Sequence, residues 1–166
     1  MQVKLRALEP EDLDLLYCIE NNVQLWGVGV TNVPYSRYVL HDYIANSSDD
    51  IYADRQLRLI VENEEGLAVG IADLVDFDPR HSRAELGIVI QPAYRGMGYG
   101  RAAVSQLLHY ASSVLNLHQL YAIVDIENSI SMRLFEALGF HSNAKLKEWL
   151  CVGRSFHDAV MMQKIL

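Results

Sequence analysis

The chain has 166 residues, 51% of them hydrophobic, which suffices to bury the core of one domain and demands no second. Its formal net charge of −7 excludes a nonspecific grip on nucleic acid, which needs clustered Lys and Arg against the phosphates. No apolar run approaches the roughly 18 to 20 residues that span a bilayer, and the N-terminus MQVKLRALEPED has no apolar leader, so the expected setting is soluble and cytoplasmic, with no membrane partner.

Residues 3 to 9, VKLRALE, alternate like a strand, and PEDLDLLYCIE follows as a helix opened by Pro10 and by acidic residues suited to a helix N-terminus. Asn21 to Asn32 predicts a loop carrying Trp26, and Tyr35 to Asn46 a second helix after Pro34. RQLRLIVENEEGLAVGIADLVDFD predicts a hairpin that turns at Glu64, Glu65 and Gly66. RAELGIVIQ is a third strand of this series. In the helix beyond it, Ala103, Val104, Leu107, Leu108, Ala111 and Leu115 recur on one face. HQLYAIVD is a further strand, and ENSISMRLFEALGF a helix with Asn128 as N-cap and Gly139 just past its end. His141 to Leu166 gives two more strands about a break at Gly153. The order predicts a mixed α/β domain with largely antiparallel strands. Cys18 and Cys151 lie far apart in apolar surroundings without metal-ligand spacing, so both are expected as buried, reduced thiols, and no metal site is expected.

The stretch YRGMGYG places Gly96, Gly98 and Gly100 at alternate positions where the helix begins. Backbone N–H groups there have no partner inside the helix and sit at the positive end of its dipole, which makes an anion site. Glycine admits positive φ and carries no β-carbon to hold a phosphate off the backbone. Arg95 and Arg101 flank the loop and can add charge-assisted contacts. The plain alternative is a glycine-rich turn that merely lets the chain enter the helix. A dinucleotide site wants G-x-G-x-x-G directly after a strand and an acidic residue ending the next strand. Asp125 meets the second condition, but the spacing here is G-x-G-x-G, QPAYR intervenes, and too little chain remains for a doubly wound sheet. No Gly-Lys-Ser or Gly-Lys-Thr follows, which excludes a P-loop.

Arg95-Gly96-Met97-Gly98-Tyr99-Gly100 resembles the Q/R-x-x-G-x-G/A signature of the GNAT superfamily of N-acetyltransferases. HSRAELGIVIQPAYRGMGYG, LNLHQLYAIVDIENSISMRLFEALGF and FHDAVMM are similar to its bacterial branch of spermidine N-acetyltransferases and ribosomal-protein N-terminal alanine acetyltransferases. The resemblance covers nearly the whole chain and is weakest between Asn21 and Arg55. It implies an α+β fold of one domain over residues 1–166: a mixed, mostly antiparallel central sheet with splayed central strands and flanking helices. It implies acetyl-coenzyme A (acetyl-CoA) as co-substrate, its pyrophosphate on the loop from Arg95 through Arg101. The acetyl-pantetheine arm would lie in the splay, lined by Ile88, Val89 and Ile90, whose backbone groups can pair with its amides. Asn128 matches an asparagine that commonly reaches this arm, caps the helix, or does both. An amine acceptor is the other partner, and a homo-oligomer is compatible with the family.

Amine attack on a thioester requires a neutral amine, hence a base. Glu85 matches the family's glutamate in the RAE segment; its alternative is a salt bridge with Arg83 or Arg80. A backbone N–H of the Val89 region would meet the developing oxyanion. Many members carry a tyrosine that protonates the departing thiolate where this chain has Phe135, expected to pack beside the sulfur without donating. The thiolate then leaves unaided, tolerable for a thiol pKa of about 8.5, or Ser131 or Tyr121 serves. His81 reads as a site histidine or a surface-turn residue. Spermidine enzymes of the branch place acidic residues around the second helix, where VTNVPYSRYVLHDYI has only Asp42. Trp26, Tyr35 and Tyr38 are expected either as an aromatic wall over the acceptor or as core. The reading is an acetyl-CoA-dependent N-acetyltransferase for a primary amine, whether small amine, polyamine or peptide N-terminus. Its alternatives are a non-catalytic acyl-CoA sensor, suggested by Phe135, and a dinucleotide-binding protein.

Overall fold

Adjacent residues of a strand point to opposite faces, so a strand buried on both sides needs an unbroken apolar run. Ile60 and Val61 are such neighbours, both wholly buried, in different clusters. The computed structural model, which describes residues 1–26 and 32–166, accordingly has three layers. The strands are β1 (Val3–Ala7), β2 (Leu57–Asn63), β3 (Ala68–Asp78), β4 (Arg83–Ile90), β5 (Gln119–Asp125), β6 (His141–Val152) and β7 (Ser155–Ile165). They form a seven-stranded sheet in the order β1-β2-β3-β4-β5-β7-β6. Every neighbouring pair is antiparallel except β4 with β5. On one face Leu16 of α1 (Leu13–Glu20) and Leu40 of α2 (Arg37–Asn46) pack on Ile60 and Ile71. On the other, α4 (Tyr99–Ser113) buries Ala103, Val104, Leu107 and Ala111, and α5 (Ser129–Ala137) buries Phe135. The short α3 (Ile51–Asp54), absent from the expected elements, is one turn capped by the Asp50 carboxylate, which accepts from Tyr52 N.

The feature that positions the site is where pairing stops. Among the described residues β4 and β5 share only Arg83–Gln119, Ala84–Leu120 and Glu85–Tyr121, so from Leu86 onward β3 is the one strand described beside β4. On that β3 side the strands approach closely: a β-carbon on Gly70 would collide with the Val89 carbonyl oxygen. Among the described residues no helix is long and apolar enough to cross a membrane.

Two expectations need correction. Cys18 and Cys151 are exposed, not buried, because α1 buries Leu16 and turns Cys18 outward, while β6 is an edge strand exposed along most of its length. The second helix starts at Arg37, two residues late, since the Ser36 hydroxyl caps it by accepting from Val39 N at 3.1 Å. In the Asn21 to Asn32 loop, Val23–Leu25 forms a 3-10 turn, and residues 27–31 lie outside the described residues.

Candidate active site

The unzipped strands enclose a cavity of about 260 Å³. β4 contributes Glu85, Gly87, Ile88 and Val89, β5 contributes Val124 and Asp125, and α5 contributes Ser131 and Phe135, with Asn128 at its start. Antiparallel pairing alternates the direction of the backbone groups. Because Gln91 N donates to Val69 O at 2.9 Å, the same phase turns the amides of Val89 and Gly87 toward β3. Those of Leu86, Ile88 and Ile90 face the gap. An oxyanion donor on Val89 itself therefore does not fit this register; its neighbours point the right way.

Glu85 is half-buried at the last paired position before the strands part. Burial raises its pKa, the nearby Asp76 carboxylate adds to that, and the Ile123 backbone N–H opposes both. Among the described residues it enters no ion pair, and Arg83 is taken by Asp78 at 3.3 Å. A half-buried carboxylate without a cation is suited to accept a proton.

At the end of β4, Arg95 Nε donates to Ile90 O at 3.0 Å and ties the glycine loop to the strand. Gly96 and Gly98 take φ of 76° and 88°, and a β-carbon on either would meet nothing within 4 Å. The glycines are thus required by conformation while the space above them is open. Gly98 is the N-cap of α4, so the N–H groups of Tyr99, Gly100 and Arg101 open the helix. Ile90 and the loop from Arg95 through Arg101, Met97 included, lie outside the cavity lining and beside the mouth that β4 leads to.

At the α5 end, Phe135 is buried and meets Phe140 edge-on at 5.0 Å, and no hydroxyl stands in its place. Asn128 Oδ1 accepts from Ser131 N at 3.1 Å, so it caps the helix while lining the cavity. Ser131 lines the cavity and Tyr121 does not; burial, then Glu85 and Asp76, raise the Tyr121 pKa and make it a poorer acid. His81 is exposed and its backbone N–H closes a turn onto Asp78, the surface-turn arrangement.

The remaining wall holds groups that sequence reasoning missed. Arg58 grips Asp73 with two bonds, 2.9 and 3.0 Å, and Glu20 with a third of 2.6 Å, and all three line the cavity. Two carboxylates meet one guanidinium here; burial raises the Asp73 pKa, but its paired bonds to Arg58 oppose that shift and keep the wall on the negative side. Arg58 and Asp73 face each other across the β2–β3 hairpin, a signal present in the sequence as opposite charges at matching distances from the turn. Of the expected aromatic wall only Trp26 lines the cavity, its ring N–H held by Glu20 O at 2.9 Å. Tyr35 packs in the α1–α2 cluster and Tyr38 is 81% exposed. Asp42 is exposed and bonded to Asn46. Also unforeseen was His157 of β7, whose Nδ1 lies 2.7 Å from Asp125 Oδ2.

A family model described as an acetyltransferase (GNAT) domain matches residues 2–141. The chain is 32% identical over 160 residues to the spermidine N(1)-acetyltransferase of Escherichia coli, covering 96% of this chain and 84% of that protein. Its fold matches the crystal structure of the Vibrio cholerae spermidine N-acetyltransferase in complex with CoA and spermine, with a TM-score of 0.89, 27% identity, and 99% and 95% of the two chains covered. A dodecameric structure of the Vibrio cholerae enzyme matches with a TM-score of 0.83 at 28% identity, covering 99% and 94%.

Proposed function

This chain belongs to the acetyltransferase (GNAT) family, and on that premise we propose that it transfers the acetyl group of acetyl-CoA to a cationic amine in the β4–β5 gap. The observation that carries the reading is the gap itself. Among the described residues, β4 from Leu86 on offers backbone groups with no strand to take them, which suits the amides of a pantetheine arm laid in as a substitute strand, with Ile88, Val89 and Ile90 alongside. The N–H groups at the start of α4, with Arg95 and Arg101 flanking, suit the pyrophosphate. Glu85 takes a proton from the ammonium so that the nitrogen lone pair can attack the thioester carbonyl. An amide of Ile88 or Ile90 faces the developing oxyanion.

A polyamine is the acceptor class favoured by the negative wall of Glu20, Asp73 and Arg58, which stands in for the acidic second helix that this chain lacks. The named activity of the relatives points the same way. Exposed, unpaired Cys18 and Cys151 suit the reducing cytoplasm. The β6–β7 hairpin shows Trp149 and Phe156 to solvent, at 60% and 64%, at the edge of the sheet, and we assign that edge to contact with further copies of the chain.

The test is thiol release from acetyl-CoA against a panel of spermidine, spermine, monoamines and peptides. Release that depends on a polyamine and yields acetylated amine is expected. Tight CoA binding with no release for any amine would make the chain a sensor instead.

A further inference from the structure

We infer that Asp125 and His157 relay the proton taken up by the departing thiolate, a role closed to position 135 because Phe135 has no hydroxyl. This rests on the gap being the acetyl-transfer site. Asp125 ends β5 where the strands have parted, is 8% exposed, and lines the same cavity as Phe135 and Asn128. Its Oδ1 accepts from Glu127 N at 2.9 Å and its Oδ2 faces His157 Nδ1 at 2.7 Å. The His157 side chain retains 21% exposure. The pair thus connects the cavity to solvent: a carboxylate inside, an imidazole at the surface behind it.

No other group at this end does the work as well. A serine hydroxyl is a weaker acid than a thiol, so Ser131 alone gives a thiolate nothing, and Tyr121 lies off the cavity. An imidazolium is a stronger acid than a thiol, so proton transfer from it is downhill.

The reaction balances. The acceptor ammonium gives one proton to Glu85 before attack, Glu85 passes it to water, and after the C–N bond has formed the nitrogen gives a second proton to the re-ionised Glu85, which again passes it to water. The C–S bond breaks with its electron pair left on sulfur. His157 passes its Nδ1 proton to the Asp125 carboxylate, the carboxylic acid so formed gives that proton to sulfur and returns to the carboxylate, and His157 recovers a proton from water. One proton is released per turnover.

The surroundings of His157 keep it loaded. Asp125 of β5 bonds it, and the Glu127 carboxylate stands 3.7 Å away. Leu150 is its neighbour on β6, and the adjacent Asp158 is engaged with Lys145 and with Glu148 N. The Asp125 hydrogen bond, with smaller help from both carboxylates, raises the His157 pKa above its ordinary value. As the acid, His157 should sustain turnover while protonated and let it fall as pH rises through that raised value.

The test is the pH profile of kcat, with acetyl-CoA and an amine that the wild type accepts, for wild type, His157→Arg and His157→Gln, each with and without Phe135→Tyr. Arginine keeps the charge and the bond to Asp125 yet does not surrender a proton in this range. Both single variants should lose about tenfold or more in kcat, the low end of acid–base effects, with KM little changed and the alkaline fall abolished. The ratio of rates with and without Phe135→Tyr should be several-fold larger in the His157 variants than in the wild-type background. An unchanged profile in a folded His157→Arg or His157→Gln would overturn the relay, and lack of recovery by Phe135→Tyr would overturn the assignment of the proton to sulfur. Wild-type turnover reports separately on the gap as the transfer site.

Discussion

The half-buried carboxylate of Glu85 carries a cost to the fold. Its raised pKa means that the folded chain holds this proton more tightly than the unfolded one, so the contribution of Glu85 to stability is fully present below the unfolded pKa of about 4.3 and is lost as pH rises through the raised value. Glu85→Gln removes this ionisation. Its melting temperature should exceed that of wild type near neutral pH, with the gain vanishing in acid; thermal melts across pH check this, and a variant less stable at neutrality would mean that the carboxylate has a structural partner. Gly98 carries the opposite kind of constraint. At φ 88° every L side chain is strained, by roughly 1–2 kcal/mol, although the space around it is open. Gly98→Val should therefore keep the fold while weakening CoA binding about tenfold or more, a loss of roughly 1.4 kcal/mol, measured by calorimetric titration.

The elements were legible in the sequence wherever one force set them. The apolar runs of β2 and β3 about their turn and the apolar face of α4 gave both place and burial, and the Asn128 cap gave the start of α5. Where two contributions compete the pattern was silent: α3 is one turn held by an Asp50 cap, too short to show a period. Asn128→Ala separates the cap from the proposed contact to the pantetheine arm, since loss of the cap costs about 1 kcal/mol of stability and loss of such a contact raises the KM for acetyl-CoA. A melting shift with unchanged KM would leave the cap alone. The β3–β4 approach makes a sharper prediction. Gly70→Ala drives a β-carbon into Val89 O, so β4 must move away from β3 and narrow the gap. Both stability and affinity for CoA should fall, as melting and titration on the same sample would show; a silent substitution would mean that the gap is not set by this contact.

At the scale of the whole molecule, pairing across the sheet decided what the sequence could reveal. The glycine loop, Glu85 and Asn128 lie in contiguous motifs, whereas Asp125 and His157 meet only because β7 inserts beside β5. No local spacing announces such a pair. Likewise β6 becomes an edge only in the assembled order, which leaves Trp149 in water, and Phe156 of β7 is exposed beyond the stretch that pairs with β5. Trp149→Lys with Phe156→Lys should break any assembly into monomers by light scattering, while a monomeric wild type would remove that assignment. The most direct measurement on the transfer itself is steady-state turnover of wild type and Glu85→Gln with spermidine at neutral pH, scoring thiol and acetylated amine together, beside CoA affinity by titration. One thiol per amide from the wild type, with the variant slower by about a hundredfold at unchanged CoA affinity, is the predicted result. Equal rates in the two proteins, or thiol released without any acetylated amine, would contradict it.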